Sequence, residues 1–406
     1  MRRRYLRNTL ETFCFEHHKI ALVSGPRQCG KTTLARQMLA QRGAGAYHNW
    51  DQVEFRRRWT IEPQSTVEVN RRGRVPLVVF DEVHKARLWK RTLKGIYDTL
   101  EKPVDLFVTG SARLAVYRKG SDSLLGRYRR FRLHPFSVGE LVTLEPPTPE
   151  VAFERLLERR RRSRSASRWL DQLIEFGPFP EPLLAADERR ARVWRRERLD
   201  AVVREDLRDL SRIAELDRVQ MLAALLPERA GSLLSVQSLR RDLEVSHDTA
   251  RRWLTALSDL YYSYEIKPYS RRIRRSLRKE GVLYLWDWSE VADPGRRFEN
   301  LVAGHLLKAC HFWTDAGYGS FTLCFVRNRD GRELDFVVVR DGEPWLPVEV
   351  KLTDTSPAPA WKTFLPFLRT PWALQVVREP GVREEHVVDD TRLLVVSADQ
   401  ALAALV

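Results

Sequence analysis

The sequence lacks any apolar run approaching the roughly eighteen residues a membrane-crossing helix needs, so no transmembrane segment is expected. It has only 4 cysteines, at 14, 29, 310 and 324, and no CxxC pair; this argues against a disulfide framework and against a paired-cysteine zinc site. The basic start Met1-Arg2-Arg3-Arg4-Tyr5-Leu6 is followed by neither an apolar core nor a small-residue cleavage site, so it does not read as a signal peptide. A cytoplasmic protein with reduced thiols is the expectation. No internal repeat is visible. What the chain has in excess is positive charge: 70 Lys and Arg against 54 Asp and Glu give a formal +16 over 406 residues. Such a balance favours polyanionic partners, nucleic acid first, although an arginine-rich composition from a GC-rich genome would give the same total. With 43% apolar residues the chain can bury real cores, and its length suggests two to four domains.

Residues 25–32 read Gly-Pro-Arg-Gln-Cys-Gly-Lys-Thr, a complete GxxxxGK[ST] phosphate loop. Before it, Ile20-Ala21-Leu22-Val23 has the composition of a buried strand. After it, residues 31–40 have apolar positions at helical spacing. Strand, glycine loop and helix together suit a nucleoside triphosphate. Gly25 and Gly30 let backbone N–H groups approach a phosphate, and the helix N-terminus adds its partial charge. Pro26, Arg27, Gln28, Cys29 and Thr33 complete the nucleotide-binding segment. Lys31 is expected to reach the β- and γ-phosphates, and the Thr32 hydroxyl to ligate Mg²⁺.

Residues 75–82, Val-Pro-Leu-Val-Val-Phe-Asp-Glu, form an apolar strand ending in two carboxylates. Asp81 is placed to hold Mg²⁺ through water, and Glu82 to orient and deprotonate the attacking water. A third strand, residues 104–108, runs into Thr109-Gly110-Ser111. Either Thr109 or Ser111 is the candidate γ-phosphate sensor, since ligands of open α/β sheets bind at that edge.

Beyond a proline-rich break at 145–150, residues 151–168 and 188–212 read as charged helices, the latter with an apolar stripe of Trp194, Leu199, Val203, Leu207 and Leu210. Residues 236–243 and 247–260 read as two short helices joined by a tight turn, with Ser246 as N-cap. Ala250, Trp253, Leu254 and Leu257 point inward by period, which leaves Arg251 and Arg252 outward. Residues 261–270 read as a wing hairpin, followed by a basic stretch that includes Arg271 and Arg272. DNA contact through these four arginines is one expectation; a lid or a protein-docking module is the other.

After a helix over 297–308, three strands read as a meander, with turns at 328–331 and 341–344. Asp335 precedes Glu349-Val350-Lys351, a D-x(n)-ExK pattern, with Glu299 available from the preceding helix. Two carboxylates on adjacent strands can hold Mg²⁺, and a lysine beside them can steady charge on a phosphate. Glu349 and Lys351 lie two apart, so they face the same side of their strand. A second metal site of Glu299, Asp335 and Glu349 is therefore expected, with Asp335, Glu349 and Lys351 as nuclease candidates and an exposed ion pair as the plainer reading.

These segments together resemble a prokaryotic family of AAA+-type P-loop ATPases whose members end in a domain with a PD-(D/E)xK-like core. The residues that carry the likeness run from Gly25–Thr33 through residues 79–85, 109–111, 125–128, 133–137, 177–180 and 333–337 to 348–351. His84 and Pro178 depart from the commoner residues at their positions. The resemblance implies an α/β, ASCE-type parallel-sheet ATPase domain over 1–144, a helical linker over 145–230, a winged helix over 231–290 and a nuclease-like α/β domain over 291–406. It marks Lys31, Thr32, Asp81 and Glu82 as the nucleotide residues. It also marks Arg127 as a γ-phosphate-sensing arginine acting in cis or on a neighbouring subunit of a homo-oligomer, unless it is an ordinary member of its basic cluster. The expected function is an ATP- and Mg²⁺-dependent ATPase that processes DNA. The alternative is a non-nucleolytic switch in defence or signalling whose C-terminal domains bind protein.

Overall fold

The computed structural model describes residues 2–71, 73–110, 124–143, 145–158, 163–207, 215–270 and 280–406. The chain divides into two compact units, Met1–Pro135 and Phe136–Val406.

The first unit is built on five parallel strands: β1 Ile20–Ser24, β2 Gly45–Asn49, β3 Leu77–Asp81, β4 Asp105–Gly110 and β5 Tyr128–Arg132. Their order in the sheet is β2-β3-β4-β1-β5. Every residue of β1, β3 and β4 is buried, as continuous apolar runs must be when helices cover both faces of a parallel sheet. On one face Ile20, Leu22, Val78, Phe80, Leu106 and Val108 pack against Phe55, Trp59, Trp89, Leu93 and Ile96. Parallel pairing brings the C-terminal ends of β1, β3 and β4 to one edge, with Val23 opposite Thr109 and Asp81 opposite Thr109 from the other side. The phosphate loop leaves β1 at that edge.

The second unit opens with helices and closes on a mixed sheet of nine strands. The segment expected as one helix over 151–168 is two among the described residues, Pro149–Leu157 and Arg164–Phe176. Each has its own hydroxyl N-cap, Thr148 and Ser163, and Glu158 turns extended between them. The helix expected over 188–212 is α-helical over Glu188–Asp200 and widens to a π-helix over Ala201–Leu207. Trp194, Val203 and Leu207 of its stripe are buried, and Leu210 lies outside the described residues.

A helix Leu216–Arg229 leads to β6 Ser232–Leu233, helices Val236–Asp242 and His247–Asp259, β7 Ser263–Pro268 and β8 Val282–Leu285. Residues 261–270 thus hold one strand, not a hairpin: β7 pairs antiparallel with β8 beyond the basic stretch, and β8 also takes β6. On its other edge β7 pairs parallel with β9, Phe321–Arg327, through Lys267 and Pro268. The long helix Pro294–Asp315, capped by Asp293, precedes that strand. β9, β10 Glu333–Arg340 and β11 Glu343–Lys351 form the expected antiparallel meander. After the helix Ala360–Leu368, β12 Trp372–Val377 joins β11 in parallel. β14 Thr391–Ser397 lies parallel to β12, and β13 Arg383–Val388 closes the edge.

Candidate functional site

The site grows from the loop between β1 and the helix Lys31–Arg42. Gly25 has no room for a side chain, since a Cβ there would run into the Leu133 carbonyl. Gly30, at φ 99°, is the left-handed N-cap of the helix, a conformation glycine adopts without penalty. Lys31 is 7% exposed, and its ammonium donates to the Gly25 and Pro26 carbonyls at 3.0 and 2.6 Å. It is held inside its own loop by these two carbonyls rather than by Asp81.

Across the edge, the buried Asp81 carboxylate collects hydroxyls from three elements. Thr32 Oγ1 donates to Oδ2 at 2.8 Å, Tyr47 of β2 donates to the same oxygen at 2.5 Å, and Thr109 of β4 donates to Oδ1. Burial first, then its bond to Asp81, raise the Tyr47 pKa above its ordinary value. The Arg36 guanidinium lies 4.5 Å from the centre of the Tyr47 ring. Thr109 is fully buried with its hydroxyl on Asp81, and the other sensor candidate, Ser111, lies outside the described residues.

Glu82 follows at φ 60°, a left-handed conformation unfavourable for a side chain of this size and found where the surroundings dictate it. Its carboxylate stands 3.7 Å from His84 Nε2 and 3.7 Å from Lys85 Nζ, and Lys85 in turn pairs with Asp51 at 3.0 Å. His84, which the sequence left outside the chemistry, is buried against that carboxylate. Tyr47 was missed outright, because its approach to Asp81 depends on β2 pairing with β3.

Arg127 is placed elsewhere. Its carbonyl accepts from Ile20 N at the beginning of β1, so it stands at the opposite edge of the sheet, a strand of five residues, or roughly 16 Å, from the loop. Its guanidinium clasps Asp98 with Nε–Oδ1 at 2.5 Å and Nη2–Oδ2 at 3.0 Å. That bond holds Asp98 below the usual carboxylate range.

In the second unit, β10 and β11 bring Asp335, Glu349 and Lys351 together, and the helix Pro294–Asp315 adds Glu299. Lys351 Nζ pairs with Glu349 Oε1 at 2.7 Å, Val350 N–H donates to Asp335 Oδ2 at 2.8 Å, and Asp335 N–H donates to Glu349 Oε2 at 3.4 Å. Tyr284 of β8 donates to Glu299 Oε1 at 2.6 Å. Burial, opposed by that bond, pushes Glu299 up to about 7. Burial and then the neighbouring Glu349 and Glu299 carboxylates raise Asp335 well above its ordinary value. Among the described residues no three His, Cys, Asp or Glu side chains are set to hold a metal ion.

On the helix His247–Asp259, Ala250, Trp253, Leu254 and Leu257 are buried and Arg251 and Arg252 are exposed; Ser246 caps it by accepting Thr249 N–H at 3.1 Å. Arg271 and Arg272 lie outside the described residues. No helix among the described residues is long and apolar enough to cross a membrane.

Comparison with known proteins accords with the geometry of the first unit. Residues 17–142 match the family described as an AAA domain, and residues 167–291 and 294–398 match two families described as domains of unknown function (DUF8612 and DUF4143). An uncharacterized protein of Mycobacterium tuberculosis is 24% identical over 268 residues, covering 66% of this chain and 54% of the relative. An uncharacterized protein of Methanocaldococcus jannaschii is 21% identical over 286 residues, 68% of this chain and 62% of the relative. The chain thus matches little more than half the length of these relatives. Among solved structures, a Walker-type ATPase of Pyrococcus abyssi aligns at TM-score 0.40 and 18% identity, over 72% of this chain and 97% of that one. AMPPCP-bound DnaA from Aquifex aeolicus aligns at TM-score 0.31 and 14% identity, over 63% and 88%. The chain carries a nucleotide-binding AAA-type P-loop ATPase domain on a parallel α/β sheet, followed by two domains of unknown function.

Proposed function

We propose that this protein is an ATPase that hydrolyses ATP at the β1–β3 edge and couples turnover to DNA held by its C-terminal domains. One observation carries the reading: Thr32 at the start of the loop helix and Asp81 at the end of β3 share a hydrogen bond of 2.8 Å. A hydroxyl and a carboxylate so joined at the mouth of a phosphate loop suit the Mg²⁺ that accompanies ATP, which would screen the phosphate charge there. Thr109 and Tyr47 orient the carboxylate. Backbone N–H groups of the loop and Lys31 bind the phosphates. Glu82 takes a proton from water as its oxygen attacks the γ-phosphorus and the bond to the β-phosphate oxygen breaks. His84 and Lys85 flank Glu82 and fix where its carboxylate points.

For DNA, the support is the sequence of helices around β6, β7 and β8, in sheet order β7-β8-β6, with Arg251 and Arg252 on the exposed face of its last helix. That order supports reading this segment as a winged helix. The αβββαβ succession from residue 294 to β12 supports reading this segment as a PD-(D/E)xK-like core. Its carboxylates do not fit a metal centre as placed, since Lys351 already neutralises Glu349 and Asp335 receives a backbone N–H. That specific observation favours a core that grips rather than cuts, and it keeps the non-nucleolytic switch as the second reading.

ATP turnover measured with single-stranded, duplex and branched DNA separates the two. Stimulation by at least one form is expected; indifference to all three puts the protein-binding switch ahead. Contact through Arg251, Arg252, Arg271 and Arg272 further predicts affinity falling steeply with salt, and a shallower slope once these four are neutralised. Unchanged binding in that variant would remove the winged helix from the contact surface.

A further inference from the structure

Arg4 lies in the basic N-terminal run, where nothing in the sequence separates it from Arg2 and Arg3. The fold separates them: Arg2 and Arg3 are exposed, and Arg4 is 3% exposed. Its guanidinium crosses to the phosphate loop, where Nη1 donates to the Cys29 carbonyl and Nη2 donates to the His134 carbonyl at 2.5 Å. The neighbouring Tyr5 strengthens the same tie. Its hydroxyl donates to the Arg132 carbonyl at 2.7 Å and accepts the His134 N–H at 3.1 Å. A Cβ on Gly30 would come within 2.7 Å of Arg4 Nη1, so the second glycine of the motif also leaves room for this arginine.

Peptide planarity gives this contact a consequence for phosphate binding. The Cys29 carbonyl and the Gly30 N–H belong to one peptide unit, in which C=O and N–H point in opposite directions. An arginine that holds the carbonyl on one side therefore fixes the N–H on the other, away from Arg4. Gly30 at φ 99° has the freedom to rotate that plane, and a buried guanidinium with two fixed acceptors removes it.

We infer that Arg4 is a positioning residue of the nucleotide site: it braces the Cys29–Gly30 peptide so that the Gly30 N–H is set for a phosphate oxygen. The inference rests on the ATPase reading above and adds to it a dependence on the N-terminal segment. Binding of ADP and steady-state ATP turnover, measured on the full chain, test it. Arg4→Ala should raise the ADP dissociation constant and the KM for ATP by about tenfold or more, the effect of losing a charge-assisted hydrogen bond, with kcat little changed. Arg4→Lys should fall between, because an ammonium cannot hold both carbonyls in the plane of a guanidinium fork. Arg3→Ala, which removes the same charge from an exposed site, should match wild type at every salt concentration. ADP affinity unchanged in Arg4→Ala overturns the brace. Equal losses in Arg3→Ala and Arg4→Ala also overturn it, leaving only general attraction of phosphate. Should Arg4→Ala melt below the assay temperature, wild-type affinity in Arg4→Lys overturns it instead. A wild-type chain that binds neither ADP nor ATP would defeat the ATPase reading itself, a result distinct from any of these.

Discussion

The two units each bring carboxylates and a lysine close together at one end of their sheet strands, and they solve the electrostatics in opposite ways. In the first unit the Asp81 carboxylate is surrounded by donors: the hydroxyls of Thr32, Tyr47 and Thr109. Its lysine is kept apart, resting on carbonyls of the loop. In the second unit Glu299, Asp335 and Glu349 crowd one another in a buried space, and the lysine is already spent on Glu349. Hydrogen-bond donors stabilise an anion without consuming a cation, so the first arrangement leaves Lys31 off Asp81, as the proposed phosphate contact requires. The second must be relieved by protonation or by its own lysine, and it leaves less for a ligand. The contrast is that of a site organised for binding and a site organised around its own charges.

The largest expected effect lies in the first site. Lys31→Ala should lower nucleotide affinity by about a hundredfold or more, the scale of a lost charge-assisted contact to phosphate with its burial. Equilibrium titration with ADP checks this, and near-wild-type affinity would erase the difference between the two sites. Next comes the lysine of the second site. Lys351→Met should destabilise the protein by about 2–3 kcal/mol at pH 8, because the buried Glu349 carboxylate loses its cation; chemical denaturation of the full chain reads it. Removing a negative charge from the same cluster should do the reverse. Asp335, held well above its ordinary value by burial and by the Glu349 and Glu299 carboxylates, costs stability as it ionises. Asp335→Asn should therefore stabilise the protein more at high pH than at low pH, read by the same denaturation.

A pH slope probes the same crowding. Glu299, pushed up to about 7 from 4.5, binds its proton more tightly folded than unfolded. Its contribution to stability is complete below about pH 4.5 and is lost as pH rises through about 7. Thermal melts between pH 5 and 8 should therefore show a decline that Glu299→Gln flattens, and a slope identical in the two proteins would contradict the crowding.

What the sequence made legible follows the same division. The phosphate loop with its flanking strand and helix is one contiguous stretch, Asp81-Glu82 ends another, and the strands of a covered parallel sheet are unbroken apolar runs. The donors to Asp81 are not contiguous. Tyr47 and Thr109 reach it only through the register of β2, β3 and β4, which pairs Asn49 with Asp81 and Asp81 with Thr109. Arg4 was hidden among identical neighbours, since its partners, the Cys29 and His134 carbonyls, are distant in the sequence. In the second unit the meander of β9 to β11 was readable from its turn residues, but the partner of β7 lies beyond a long basic stretch. The break at Glu158 was masked because charged residues continue across it, with only Ser163 to announce the next helix.

The central claim, that the Asp81–Glu82 edge hydrolyses ATP, is tested most directly by Glu82→Gln in the full chain. The amide keeps the shape of the side chain and cannot accept a proton from water. ATP binding in the presence of Mg²⁺ should survive this change, and turnover should fall to a few per cent of wild type or less, in line with the loss of a general base worth about a hundredfold. Hydrolysis at the wild-type rate in Glu82→Gln would contradict the account.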